Sequence, residues 1–269
     1  MGAATGYTLF GRTLSSRFFL GTAGHPSPAG LVAAIEASGA EVLTMGIKRQ
    51  AANVAASGDN QWWSIIRGTG RHILPNTAGC RTAKEAVALA QMARELFETD
   101  WIKLEVVGDD YTLQPDSFEL VAAAEQLVKL GFQVFPYCTE DLIAARRLVD
   151  AGCEVLMPWA APIGSGQGIV HRPALLRMRE AFPDQFLVID AGIGAPSHAA
   201  EAMEMGFDAV LLNSAVAQAQ DPVGMAAAFR MAIEAGRLGH AAGVIPEQAF
   251  ATPSTPVTGQ PFLIHKAAG

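Results

Sequence analysis

Short apolar runs and longer amphipathic segments alternate along most of the chain. The short runs have the length and composition of buried strands, whereas the longer segments repeat their apolar residues with the period of a helix. The pattern predicts strands at 18–20, 41–47, 72–75, 101–107, 132–137, 154–159, 186–190 and 209–213. It predicts helices at 28–38, 61–67, 82–97, 116–129, 139–151, 173–182, 196–206 and 222–235.

Strand and helix recur every ~25 residues, which is typical of the α/β fold called a (β/α)₈ or TIM barrel. A doubly wound open sheet is the alternative, but the sequence at 21–24 is a poor match to the glycine fingerprint of that fold. We therefore expect a single barrel domain over residues 1–269. Residues 1–17 should form an N-terminal hairpin, with its turn at Gly11–Arg12, against the bottom of the barrel. Residues 244–269 lack periodicity and should form an irregular or mobile C-terminal tail.

The composition is compatible with that fold and argues against membrane, nucleic-acid and metal-binding functions. The chain of 269 residues is 50% hydrophobic with a mean hydropathy of +0.24, enough for the core of one barrel. Its apolar runs are shorter than the ~18 residues of a membrane helix, and no signal-peptide pattern is apparent, so we expect a cytoplasmic protein without membrane contact. The net charge is −7, and the sequence has no cluster of basic residues of the kind that binds nucleic acid. Three cysteines without a CxxC pair and six scattered histidines predict reduced thiols and no metal site.

The run 101–107 carries the first candidate chemistry. It alternates so that Lys103 and Glu105 share one face, and the apolar neighbouring runs predict burial on both faces. Burial lowers the pKa of a lysine, and a neutral lysine amine attacks carbonyls. Lys103 could therefore form a Schiff base while Glu105 moves protons. A structural Lys–Glu ion pair explains the same pattern, and the alternation alone leaves both readings open.

Glycine-bearing loops follow the last three predicted strands, at 162–168, 190–194 and 213–214. Glycine lets backbone N–H groups approach an oxyanion, and barrels frequently bind phosphate at their last loops. These loops predict a phosphate site. Asp190 ends an apolar strand and should face the barrel mouth as a general acid or base near Lys103.

A basic pair, Lys48–Arg49, follows the second predicted strand. It would either contact an anion at the barrel mouth or form a solvated loop, and the sequence slightly favours the loop.

Several segments together resemble the thiazole synthase family of thiamine biosynthesis, over about residues 7–246. The segments are LPNTAGC at 74–80, WIKLEV at 101–106, PYC at 136–138, MP at 157–158, PIGSGQG at 162–168, DAGIG at 190–194 and DAVLLN at 208–213. The resemblance implies a sulfur-transferring synthase that joins 1-deoxy-D-xylulose 5-phosphate, dehydroglycine and sulfur into a thiazole phosphate. It implies that sulfur arrives as a thiocarboxylate on a small ubiquitin-like carrier protein.

The resemblance also assigns roles to residues. It implies that Lys103 forms an imine with the C2 ketone of the sugar phosphate, and that Glu105 and Asp190 transfer protons. The residues that would contact the sugar phosphate are Gly164, Ala191, Gly192, Asn213 and Ser214. We expect no cofactor, and the resemblance suggests a homodimer or homotetramer.

The match has departures, and other functions compete with it. The loop at 21–26 lacks the lysine or aromatic residue usual in the family, Lys48–Arg49 replaces two arginines, and Asn213–Ser214 replaces Asn-Thr. The early departures bear on carrier contacts and loop closure more than on chemistry. Another Schiff-base aldolase or isomerase would share the fold and the phosphate loops. A non-catalytic scaffold that binds a sulfur carrier would not need the lysine and two carboxylates.

Overall fold

The computed structural model describes residues 6–47, 61–252 and 254. The basic pair Lys48–Arg49 and most of the predicted tail lie outside the described residues. Of the tail, 244–252 contain no helix or strand and are exposed, as expected for an irregular segment.

Ten strands are present in the described part of the chain. They are β1 (Tyr7–Leu9), β2 (Arg12–Leu14), β3 (Phe18–Gly21), β4 (Val42–Gly46), β5 (His72–Asn76), β6 (Trp101–Leu104), β7 (Gln133–Cys138), β8 (Val155–Pro158), β9 (Phe186–Asp190) and β10 (Ala209–Leu212). Strands β3 to β10 pair in parallel and in chain order, and β10 closes on β3. The predicted (β/α)₈ barrel is therefore confirmed.

Helices cover the outside of the barrel. They are α1 (Pro28–Ser38), α2 (Gln61–Gly68), α3 (Ala83–Phe97), α4 (Ser117–Lys129), α5 (Leu142–Asp150), α6 (Arg172–Ala181), α7 (Pro196–Glu204), α8 (Ser214–Ala217) and α9 (Pro222–Ala242). None of the described helices is long and apolar enough to cross a membrane.

Two helix ends differ from the prediction. Asp141, not Thr139, caps α5, because its side chain accepts hydrogen bonds from the N–H groups of Ile143 and Ala144. Helix α9 continues past the predicted end at Ala235 to Ala242. Gly236 lies inside the helix, where a Cβ would come within 2.3 Å of the Ala200 carbonyl oxygen of α7, so glycine serves close packing here and does not end the helix.

The N-terminal hairpin of β1 and β2 closes the bottom of the barrel, as predicted. The Tyr7 ring stacks on Phe186 at the start of β9, with ring centroids 5.1 Å apart. The Phe10 ring packs edge-on against Trp101 and Phe135 inside the barrel. Because aromatic rings fill the lower interior, the opposite end is left for polar side chains.

The alternation of β6 divides its residues between two cores. Ile102 and Leu104 belong to the larger apolar core between strands and helices, while Trp101 belongs to the smaller core inside the barrel. Lys103 and Glu105 follow Trp101 at intervals of two and so point into the interior at the carboxyl end of the strands.

Candidate active site

Lys103 lies between two carboxylates at the barrel mouth. Its Nζ is 2.9 Å from Oε1 of Glu105 and 2.8 Å from Oδ2 of Asp190. All three residues are buried, with exposures of 5%, 6% and 3% in the order Lys103, Glu105 and Asp190. Strands β6 and β9 thus bring together the three residues that the sequence predicted as catalytic.

The sequence predicted that burial makes the Lys103 amine neutral, and this prediction is wrong for the site without substrate. Burial does favour a lower pKa for this amine, but the negative charges of Asp190 and Glu105 outweigh burial and raise the pKa above its ordinary value. The resting side chain is therefore an ammonium. A proton must leave it before it can act as a nucleophile.

Asp190 is suited to hold a proton. Burial raises the pKa of its carboxyl above the usual range, despite the opposing effect of the Lys103 charge, and the nearby Glu105 raises it further. One cation faces two buried carboxylates, so one negative charge is left uncompensated. The arrangement favours a proton shared within the cluster, which is the property of an acid–base site.

Thr77 fixes the backbone where β6 ends. Its hydroxyl donates to the Glu105 carbonyl at 2.8 Å and accepts from the Glu105 N–H at 2.8 Å, while its own N–H donates to the Lys103 carbonyl. The side chain is fully buried. It lies within the family-like segment 74–80, but a threonine in a turn gives no signal of this contact, so the sequence reasoning missed it.

Tyr137 lies beside the ammonium and was also missed. Its ring centroid is 5.6 Å from Lys103 Nζ, within the range of a cation–π contact. The hydroxyl is buried, and no hydrogen-bond partner for it is found among the described residues. Burial and the charges of Asp190 and Glu105 raise the pKa of this phenol, so it remains protonated. The alternation of β7 could have placed it inside the barrel.

A cavity of about 440 Å³ opens above the lysine. Lys103, Glu105 and Asp190 line it together with all five residues assigned to the sugar phosphate, which are Gly164, Ala191, Gly192, Asn213 and Ser214. One cavity therefore joins the lysine–carboxylate cluster to the glycine loops.

Close packing makes glycine necessary in these loops. Gly192 has φ +77°, and a Cβ there would lie 2.5 Å from the Cβ of Ala161. A Cβ on Gly194 would lie 2.5 Å from the carbonyl oxygen of Gly166. Helix α7 begins just beyond, and its cap residue Ala195 makes no side-chain hydrogen bond to the helix end. Tight backbone loops beside an uncapped helix N-terminus suit an anionic ligand.

His198 joins two of the loops. Its Nδ1 accepts a hydrogen bond from the Gly194 N–H at 3.3 Å. The same ring packs on Gly168, where a Cβ would come within 2.9 Å of it. A histidine in the first turn of a helix gives no sequence signal of this role, which depends on the fold bringing 162–168 beside 190–194.

Fold and site together define a class, the (β/α)₈ barrel proteins that carry a lysine–carboxylate cluster and glycine-bearing loops at the barrel mouth. The chain belongs to the ThiG family of thiazole biosynthesis proteins, whose family model matches residues 8–256.

Named relatives agree with that assignment. The chain is 60% identical to a thiazole synthase of Rhodopseudomonas palustris, over 94% of this chain and 96% of the relative. It is 58% identical to a thiazole synthase of Coxiella burnetii, over 97% and 99%. Among solved structures, it resembles a chain of the Amycolatopsis orientalis BexX/CysO complex with a TM-score of 0.79 and 31% identity, over 90% of this chain and 98% of that one.

Proposed function

We propose that this protein is an enzyme that forms the thiazole phosphate of thiamine. Its substrates would be 1-deoxy-D-xylulose 5-phosphate, dehydroglycine and the thiocarboxylate of a sulfur-carrier protein. The observation that carries the proposal is the ammonium of Lys103 held between Glu105 and Asp190 on the floor of the cavity. The family membership and the thiazole synthase relatives support it.

The first step uses the cluster as it stands. A carboxylate, Glu105 or Asp190, takes a proton from the Lys103 ammonium, and the neutral amine attacks the C2 ketone of the sugar phosphate. The resulting carbinolamine loses water to give an iminium ion, with the proton for the leaving water returned by the same cluster. The raised pKa of Asp190 supports its role as the proton carrier, because a carboxyl that binds a proton more readily than usual can take the proton of the ammonium and return it.

The iminium ion then acidifies the neighbouring carbon. Removal of the C3 proton and return of a proton to C2 would move the carbonyl to C3, where the thiocarboxylate sulfur adds. The carrier's acyl group would then pass from sulfur to the new C3 oxygen and leave as a carboxylate, so that sulfur stays on C3. The dehydroglycine nitrogen would displace the Lys103 amine at C2, and loss of water would form the ring. Several of these steps move a proton within reach of Lys103, which supports a site with two carboxylates rather than one.

The phosphate would lie against the glycine loops. The N–H groups near Gly164 and Gly192 and the start of α7 would bind it, with Asn213 and Ser214 closing the same wall. Backbone N–H groups and a helix N-terminus can bind a phosphate without a cluster of positive side chains. Such local binding is needed here because the chain has a net charge of −7.

The partner would be a separate carrier protein. The solved structure of the relative BexX is a complex with a second protein, CysO, and this supports a protein partner here. We further propose that the chain acts in the cytoplasm, as one barrel domain over 1–269 in a homodimer or homotetramer. In this reading, the early βα loops and the 244–269 segment frame the path of the carrier.

Reconstitution of turnover tests this function against the alternative aldolase or isomerase. The purified protein is supplied with 1-deoxy-D-xylulose 5-phosphate, dehydroglycine made from glyoxylate and ammonia, and a thiocarboxylated carrier. A thiazole phosphate should appear by mass spectrometry only when all three are present. Cleavage or isomerisation of the sugar phosphate without the other two, and no thiazole with them, would contradict the proposal.

A further inference from the structure

A second cavity adjoins the one above Lys103. It has a volume of about 470 Å³. The residues that line both cavities are Ala23, Gly46, Asn76, Glu105, Ile163 and Asn213. Beyond these shared residues, it extends under the loops that follow β5 and β6. Because Glu105 lines both cavities, a molecule in the second would lie next to the reacting end of a molecule in the first.

The second cavity has its own cation. Arg81 is the only positively charged residue among the described residues that line it, and it forms an ion pair with Asp110, which lines the cavity too. The side chains of Arg81 and Asp110 are 55% and 63% exposed, so the pair lies at the rim. An exposed pair of this kind is weak and can exchange its carboxylate for that of a ligand.

The wall that presents Asp110 is well ordered by local contacts. Asp109 Oδ1 accepts hydrogen bonds from the N–H groups of Tyr111 and Thr112 and from the Thr112 hydroxyl. At the base of this loop, the Gly108 N–H donates to the Gln114 carbonyl. Leu113, which lines the cavity, is held at φ +54°. A non-glycine residue in that conformation persists only where its surroundings fix it, and such strain is common at ligand sites.

We propose that this second cavity binds the carboxylate or thiocarboxylate end of the reactant that meets the lysine-bound sugar phosphate, with Arg81 as its charge partner. The inference rests on the proposed function, because it names the place of that function's second reactant. A guanidinium holds a planar carboxylate through two parallel hydrogen bonds. Glu105 and Asp110 make the cavity unfavourable for a doubly charged phosphate, which the glycine loops would hold. Asp110 competes with the ligand for Arg81.

Two reactants of the proposed function end in such a group, namely dehydroglycine and the carrier protein. Two stable probes distinguish them in isothermal titration without any sugar phosphate. Oxamate has the planar carboxylate of dehydroglycine without a reactive imine. N-acetylglycylglycine is a minimal chain end with a free carboxylate. Each probe is titrated into the parent, Arg81→Met, Arg81→Lys and Asp110→Asn proteins, and into Arg146→Met. Arg146 is exposed on α5 and lines neither cavity.

At least one probe should bind the parent. Its dissociation constant should rise about fivefold or more in Arg81→Met, rise less in Arg81→Lys, and fall in Asp110→Asn. Arg146→Met should match the parent. The probe that follows this pattern identifies the source of the carboxylate.

The proposal is overturned if neither probe binds the parent at millimolar concentration or if Arg81→Met binds as the parent does. It is also overturned if Asp110→Asn weakens binding as much as Arg81→Met does. The ion pair would then stabilise the wall of the cavity, and Arg81 would not bind the carboxylate itself. Because these titrations need no turnover, their failure is distinct from a failure to form thiazole.

Discussion

At the scale of single residues, the site depends on charges that are buried together. Lys103 holds two carboxylates that would otherwise face each other without a cation. The cluster has more negative than positive charge. Its two carboxylates raise the pKa of Lys103 against the effect of burial, whereas burial and then Glu105 raise the pKa of Asp190 against the effect of Lys103. The same imbalance supplies a proton carrier for chemistry and makes the cluster sensitive to pH.

Removal of the lysine charge should destabilise the fold in a pH-dependent way. Lys103→Met leaves two buried carboxylates unpaired and should lower the free energy of unfolding by about 3–5 kcal/mol at pH 8. A carboxyl whose folded-state pKa is raised costs stability above that pKa, and the cost fades as pH falls through it. Urea unfolding should therefore show the deficit shrinking towards pH 5. A matched Lys129→Met change, at an exposed helix end, should show no such trend. A pH-independent deficit in Lys103→Met would contradict the charge imbalance.

The buried Tyr137 and the half-buried Tyr7 give a second prediction for single residues. Tyr137→Phe removes a hydroxyl that has no hydrogen-bond partner among the described residues. The change should leave the free energy of unfolding unchanged or raise it by up to ~1–3 kcal/mol. Tyr7→Phe is the matched control, because the Tyr7 hydroxyl donates to the Ser16 carbonyl at 2.9 Å. Its loss should cost about 0.5–1.5 kcal/mol. Urea unfolding compares the two, and a larger loss in Tyr137→Phe would mean that its hydroxyl has a bound partner.

At the scale of elements, strand ends and loops decide where the chemistry lies. The alternation of β6 predicted the inward side chains of Lys103 and Glu105, and the apolar run of β9 predicted Asp190 at the mouth. The local pattern predicted that Lys103 is buried, but it did not show that two carboxylates contact the amine. The pKa of Lys103 was therefore predicted to be lowered, whereas it is raised. The contacts of Thr77 and His198 join segments that are distant in sequence, and no local pattern contains that information.

The glycine loops give a prediction at this scale. Gly164 and Gly192 both have positive φ, but a Cβ on Gly164 meets nothing, whereas one on Gly192 meets Ala161. Gly164→Val should keep the global fold and weaken binding of the sugar phosphate, because a strained side chain enters the cavity wall. Gly192→Ala should weaken binding and also lower the free energy of unfolding by about 1–3 kcal/mol. Calorimetric titration and urea unfolding measure the two effects. Unchanged affinity in Gly164→Val would place the phosphate elsewhere.

At the scale of the whole molecule, the barrel separates stability from chemistry. Strand order, closure and the bottom hairpin followed from the sequence, since repeating units of strand and helix have few ways to pack. The sequence could not give the shape of two adjoining cavities, which depends on how the loops after β3, β5, β6, β8, β9 and β10 meet. The role of Lys48–Arg49 stays a prediction.

The hairpin should contribute stability from the end opposite the site. Phe10→Ala removes a ring that packs on Trp101 and Phe135, and it should lower the free energy of unfolding by about 2–4 kcal/mol. Phe250→Ala is the matched control, because that ring is 87% exposed and its loss should change little. Urea unfolding of both variants measures the difference. Equal, small effects would show that the hairpin does not support the barrel floor.

The central claim is that Lys103 forms an imine with the ketose phosphate, and chemical trapping tests it most directly. The protein is incubated with 1-deoxy-D-xylulose 5-phosphate, reduced with borohydride, digested and mapped by mass spectrometry. We predict one adduct on Lys103, which persists in Lys129→Ala and is absent in Lys103→Ala. No adduct, or an adduct on another lysine, would contradict the account.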